Sequence, residues 1–188
     1  RACVVYCHGN GSCRIAGFQL VPALLPLNIA LFCFDFSGSG MSGGQYVSLG
    51  YHEQDDLRCV IEHLRNEQNF QRIGLWGYSM GAGTALMHAS RDPSLAGVVA
   101  DSPFSDLNLL IREICNSFLR LPSFLLSPFI FMVRCIIKRK AAFDISDVSP
   151  QAHVGKCFVP AFFLHGDQDD FVAPSHSKKL AKDYYGEA

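Results

Sequence analysis

The stretch Arg72-Ile73-Gly74-Leu75-Trp76-Gly77-Tyr78-Ser79-Met80-Gly81-Ala82-Gly83-Thr84-Ala85-Leu86-Met87-His88-Ala89 decides how this chain folds. Its first five residues are an apolar run short enough for a buried strand, and its last eight favour a helix. Between them, Gly77-Tyr78-Ser79-Met80-Gly81 matches G-x-S-x-G, which in a strand–turn–helix setting reads as a nucleophile elbow. A serine at such a sharp turn sits in strained backbone, so its neighbours two residues away must be small. Gly77 and Gly81 meet that requirement. The turn lifts the hydroxyl above the strand ends and sets it at a helix N-terminus, where partial positive charge favours a developing oxyanion. Glycine and serine are common, so the flanking strand and helix carry the assignment more than the pentapeptide does.

Outward from the elbow, short apolar runs alternate with helical patterns. The predicted strands are Ala2–Cys7, Ile29–Asp35, Arg72–Gly77, Ala96–Asp101 and Val159–His165. Over Tyr51–Asn69, Leu57, Val60, Ile61 and Leu64 recur at helical spacing with charged residues between them, which predicts an amphipathic helix covering one sheet face. A helix follows Ser79, and another begins near Pro174. This alternation predicts an α/β architecture of parallel strands with right-handed crossovers. In such sheets the functional loops leave the carboxyl ends of the strands. Every unusual segment does so here: His8-Gly9-Asn10-Gly11, the glycine-rich Phe36–Gly44, Ser79, Asp101-Ser102-Pro103, and Gly166-Asp167-Gln168-Asp169-Asp170. The segment 105–140 departs from the alternation. It is rich in Leu, Ile and Phe, is broken by Pro122, Pro128, Arg120 and Arg134, and ends in Lys138-Arg139-Lys140. Its clean apolar run is too short to span a bilayer, so it reads as a helical cap, with contact to a membrane surface as a secondary reading.

Bulk composition narrows the classes. A chain of 188 residues with 49% hydrophobic and 18% charged residues suits one doubly covered sheet. A net charge of −1 does not suggest a nucleic-acid partner. The eight cysteines are scattered without a C-x-x-C pair, so no metal site is expected and buried free thiols in a reducing, intracellular and cytoplasmic setting are. The loop Ser37-Gly38-Ser39-Gly40 lacks the P-loop lysine and the dinucleotide-binding spacing, so no cofactor is expected.

A serine hydroxyl needs a base, an acid to orient that base, and donors for the oxyanion. The Met80 amide, directly after Ser79, is one candidate donor. The Asn10 amide is the other, because the two glycines of His8-Gly9-Asn10-Gly11 let the backbone approach a substrate. His8 reads as a structural residue of that turn. For the acid, Asp169 is preferred over its neighbours Asp167 and Asp170 and over Asp101, whose sequel Ser102-Pro103-Phe104 reads as a rigid turn into the cap. Turn capping is the ordinary alternative for aspartates in such loops.

Taken together, His8-Gly9-Asn10, Phe34-Asp35-Phe36-Ser37-Gly38-Ser39-Gly40-Met41-Ser42, Gly77-Tyr78-Ser79-Met80-Gly81, Asp101-Ser102-Pro103-Phe104-Ser105 and His165-Gly166-Asp167-Gln168-Asp169 resemble the alpha/beta-hydrolase superfamily. Within it they are most similar to serine-aminopeptidase-like or prolyl-oligopeptidase-like hydrolases of plants and protozoa. The resemblance implies a three-layer fold of mostly parallel sheet with helices on both faces and a helical cap over 105–140. It implies Ser79 as nucleophile, Asp169 as acid, and the Asn10 and Met80 amides as oxyanion hole. It also implies a histidine after one further strand, whereas this chain stops at Ala188. Residues 1–188 are thus expected to be one partial domain, without the first strands and the last. None of His52, His63, His88, His153, His165 or His176 reads as a convincing base, and His176 reads as a surface or helix-start residue. The expected activity is cleavage of an ester, thioester or amide in a small-molecule acyl or peptide substrate. The alternatives are a non-catalytic scaffold of the same fold and a membrane-surface lipid hydrolase.

Overall fold

A computed structural model describes residues 1–119 and 123–188. Arg120 and Pro122, two of the expected interruptions of the cap, lie outside the described residues. The elements run β1 (Ala2–Cys7), α1 (Val21–Leu24), β2 (Ile29–Cys33), α2 (Glu53–Asn66), β3 (Arg72–Tyr78), α3 (Met80–Ala89), β4 (Gly97–Asp101), α4 (Leu107–Ile114), α5 (Ser123–Ala141), α6 (Gln151–Val154), β5 (Ala161–Leu164) and α7 (Ser175–Asp183), with short 3-10 turns between some of them. The strands form one sheet in the order β2-β1-β3-β4-β5, and every adjacent pair is parallel. β2 and β3 lie on opposite sides of β1, so the connections reverse direction between β1 and β3, where such sheets open a crevice at their carboxyl edge.

Strand alternation divides the core. Cys3, Val5 and Cys7 of β1, with Ile73 and Leu75 of β3, pack against Leu57, Ile61 and Leu64 of α2, Leu86 of α3 and Leu180 of α7. Val4 and Tyr6 point the other way, into a second layer with Leu20 and Leu24. α3 is buried along its whole length, as befits a small-residue helix seated centrally on the sheet. Each fully buried Leu or Ile contributes about 1.5–3 kcal/mol. α4 and α5 pack Leu107, Leu110, Leu126 and Ile130 against Phe104, Phe143, Ile145 and Val172 in a third cluster, the helical cap read from the sequence. A π-helical turn, Cys115–Leu119, follows α4 directly. No helix among the described residues is long and apolar enough to cross a membrane.

Three strands are shorter than the sequence predicts, β4 only by its first residue. β2 ends at Cys33, two residues before Asp35, because Asp35 turns out of the ladder. Its carboxylate accepts from the Arg14 amide at 2.6 Å and from the Met41 amide at 3.0 Å, and pairs with the Arg14 guanidinium at 2.7 Å. β5 starts at Ala161, because Pro160 has no N–H to give to a ladder. The cysteines also differ in part from the expectation. Cys3, Cys7, Cys115 and Cys157 are buried, but Cys59 and Cys135 are exposed on outward helix faces.

Candidate active site

The elbow forms at the β1–β3 crevice. Ser79 has φ 51° and ψ −112°, a left-handed φ that is strained for a residue with a Cβ. Its amide donates to the Asp101 carbonyl at 2.8 Å, and its carbonyl accepts from Ala82 at 3.0 Å and Gly83 at 3.1 Å. The turn is thus tied to β4 on one side and to α3 on the other. A Cβ on Gly77 would sit 2.4 Å from the Gly81 carbonyl oxygen, and one on Gly81 would sit 2.0 Å from the Cys7 carbonyl oxygen. Both obstacles are backbone, which explains why each position is glycine. The half-buried Ser79 hydroxyl has no hydrogen-bond partner among the described residues.

The loop after β1 abuts the elbow. Gly9 packs so closely on Tyr78 that a Cβ there would lie 2.9 Å from its ring. His8 is fully buried, as a structural histidine should be. Its Nε2 accepts from the Phe36 amide at 3.1 Å, which leaves Nδ1–H to donate to the Gly9 carbonyl at 2.8 Å. Ser12 also donates to that carbonyl, at 3.2 Å. In a trans peptide the carbonyl and the following N–H point in opposite directions, so holding Gly9 O inward turns the Asn10 N–H away from His8. Neither the Asn10 nor the Met80 amide donates to another group among the described residues.

Asp169 follows β5, and one strand, β4, separates β5 from β3. Ser79 and Asp169 therefore do not follow adjacent strands: Asp101, at the end of β4, lies between the serine and acid positions. The two aspartates are held differently. Asp169 Oδ1 accepts from the Phe171 and Val172 amides, each at 2.9 Å. Among the described residues its Oδ2 has one polar partner, His165 Nε2 at 3.5 Å. That nitrogen donates to the Val172 carbonyl at 2.7 Å, so Oδ2 keeps accepting capacity. Among the described residues Asp101 Oδ1 accepts only from its neighbour Ser102, at 3.2 Å. Burial pushes the Asp101 carboxyl above its ordinary value and the charge of Asp169 adds to this, while Ser102 and His165 oppose it. Asp167 and Asp170 are exposed.

None of the seven histidines bonds to Ser79. His52 meets the Ala141 carbonyl, His63 meets Glu67, and His153 meets Ser90. Burial lowers the affinity of His88 and His153 for a proton. His176 does begin a helix but is not at the surface; it is 2% exposed. Its Nδ1 accepts from the Ser105 amide at 3.0 Å, so Nε2–H donates to Glu113 at 2.7 Å, pinning α4 to the start of α7. No sequence signal announced this tie, because His176 lies 71 residues from Ser105 and 63 from Glu113 in the chain. Thiol chemistry has no support at the elbow. Burial raises the pKa of Cys7, which pairs with Gly77 across β1 and β3, and pushes Cys3 and Cys157 up to about 11.

The model of the family described as serine aminopeptidase, S33, matches residues 1–144. The uncharacterised protein YqkD of Bacillus subtilis is 31% identical over 180 residues, covering 94% of this chain and 58% of YqkD. Human protein ABHD12B is 26% identical over 187 residues, covering 94% of this chain and 48% of that protein. The chain thus spans less than two thirds of the length of these relatives. Among solved structures, the Pyrococcus furiosus esterase Pf2001 superposes with a TM-score of 0.74 at 26% identity, covering 97% of this chain and 68% of the esterase. A Paleococcus ferrophilus monoacylglycerol lipase superposes with a TM-score of 0.66 at 22% identity, covering 98% of this chain and 80% of the lipase, a likeness of fold alone. With the family match running over most of its length and its sheet shared with these hydrolases, the chain belongs to the serine aminopeptidase S33 family of alpha/beta hydrolases.

Proposed function

We propose that the protein is a serine hydrolase that cleaves an ester, thioester or amide bond by acyl transfer through Ser79. The observation that carries this reading is the Ser79 turn: a serine strained to φ 51°, at the N-terminus of a buried helix, with an uncommitted hydroxyl at the crevice of the sheet. In this reading Ser79 Oγ attacks the substrate carbonyl and gives its proton to an imidazole. The oxyanion accepts from the Asn10 and Met80 amides, which have no acceptor of their own among the described residues. Collapse of the tetrahedral intermediate passes the proton to the leaving group, and water then releases the acyl group by the same steps. Asp169 orients the imidazole through its open Oδ2, the role a triad acid needs. The base is a histidine outside residues 1–188. Two facts support that placement: each histidine of the chain has another partner and none bonds to Ser79, and the relatives are longer. The esterase likeness favours small-molecule acyl substrates, and the family description keeps peptides in range.

A fluorophosphonate probe reports an activated serine directly. The full-length protein, with the segment that carries the base, is expected to label and Ser79→Ala in it to lose all labelling, with turnover falling by about 10⁶. Labelling that persists in the alanine variant overturns the reading. A panel of p-nitrophenyl esters, thioesters and aminoacyl amides then ranks the substrate classes.

A further inference from the structure

The two sides of α5 meet different surroundings. Leu126 and Ile130 are buried with Leu107, Leu110 and Phe143. On the other side Phe124, Phe131, Met132 and Ile136 are 76%, 67%, 50% and 47% exposed. Pro128 and Cys135 between them are exposed as well. Positions 124, 128, 131 and 135 are spaced as one row along a helix, with Met132 and Ile136 beside it. Scattered apolar side chains are normal on a surface, but a continuous strip with two phenylalanines marks an interaction face. The apolar surface also continues inward. Ile136 and Ile137 line a cavity of about 210 Å³ together with Leu107, Ile111 and Phe143.

Charge selects the occupant. α5 contains no acidic residue and ends in Lys138-Arg139-Lys140. Asp144 takes Arg134 at 2.7 Å and Lys138 at 3.4 Å. Arg139 and Lys140 are exposed and make no ion pair among the described residues. Arg139 extends the apolar row by one more step of four. An apolar strip that ends in unneutralised cations complements an anionic bilayer surface. Apolar side chains enter the boundary between headgroups and acyl chains while the cations stay at the phosphates. With four basic residues α5 is not a spanning helix, so it lies along the surface.

We propose that the exposed face of α5 docks the protein peripherally on an anionic lipid bilayer, with Phe124, Phe131, Met132 and Ile136 inserted and Arg139 and Lys140 on the headgroups. This docking is independent of the chemistry at Ser79. Co-sedimentation with vesicles tests it. Vesicles of mixed phosphatidylcholine and phosphatidylserine should bind the protein about thirtyfold more tightly than phosphatidylcholine alone, as two cations at the surface imply, and added salt should erase the difference. Arg139→Glu with Lys140→Glu should abolish the preference. Phe131→Asp with Met132→Asp should cut binding to mixed vesicles at least about tenfold without lowering the melting temperature, since both side chains face water. Wild-type binding that ignores phosphatidylserine, or a double aspartate variant that sediments like wild type, overturns the proposal. So does a wild-type dimer that Phe131→Asp dissociates and that ignores vesicles, which would assign the strip to a second copy.

Discussion

At the elbow, single atoms set what each residue can be. A methyl on Gly81 would overlap the Cys7 carbonyl oxygen at 2.0 Å, and backbone cannot rotate aside as a flexible side chain can. Gly81→Ala is therefore expected to cost about 3 kcal/mol, the upper end for overpacking, read as a drop in the urea midpoint with an unchanged slope. The two aspartates of the crevice should separate cleanly. In Asp169→Asn the amide oxygen can still accept from Phe171 and Val172, so the fold should hold. Turnover should nevertheless fall about 10⁴-fold, because a base loses its orienting charge. Asp101→Asn should leave turnover within a few-fold and hold or raise the melting temperature at neutral pH. Its folded pKa lies above the unfolded value, so its contribution to stability is full at low pH and is lost as pH rises through the folded pKa. If Asp101→Asn is the damaging change and Asp169→Asn is mild, the acid is Asp101. Ser79 and its two glycines were legible in the sequence, because a strained turn restricts residue types locally. The sequence favoured Asp169 over Asp101, but how each carboxylate is held was not legible, because it depends on which amides fold back onto which carboxylate.

Among the elements, helix and strand cores follow the sequence periodicity, and the departures have local causes. α2 starts and stops within a few residues of the reading from Leu57, Ile61 and Leu64. β2 stops early because Asp35 finds Arg14 and Met41, and β5 starts late because of Pro160. α5 is fastened at its basic end by Asp144, which accepts from Arg134, Lys138 and the Ser146 amide. These partners hold the Asp144 carboxyl well below the usual carboxylate range, Arg134 foremost. Asp144→Ala should cost about 1 kcal/mol, discounted because Arg134 and Lys138 are partly solvated. Hydrogen exchange should quicken in the last turns of α5 and not in α3, whose buried position makes it among the last elements to open.

For the whole molecule, Asp35, Asp144, His88 and His153 share one sign of acid response, and Asp101 alone of the groups discussed opposes it. The Arg14 guanidinium and two amides hold Asp35 well below the carboxylate range, and Asp144 is held likewise. A depressed carboxyl contributes stability above its unfolded value of 3.8, and that contribution is lost as pH falls toward the folded value. His88 and His153 are also depressed, by burial first, so below their ordinary 6.5 the unfolded chain binds protons that the folded chain refuses. Both effects lower stability on acidification. The urea midpoint should begin to fall below about pH 6.5 and fall more steeply below about pH 4. Asp35→Asn with Asp144→Asn should lower the midpoint at neutral pH and flatten the second phase. A midpoint that rises from pH 7 to pH 5 contradicts these assignments.

The sequence by itself determined the α/β alternation, the elbow at Ser79, the His8-Gly9-Asn10 turn and the helical stretches α4 and α5 between β4 and β5. Each of these is written in residues near one another in the chain, through side-chain period, glycine placement and strand-end chemistry. Tertiary structure alone decided that β4 and Asp101 stand between Ser79 and Asp169, because strand order is a property of the sheet and not of any strand. It also decided that His176 is buried against Ser105 and Glu113, and which side of α5 faces water. Those outcomes depend on partners tens of residues away, and a side chain's neighbours across the fold leave no periodic mark on its own segment.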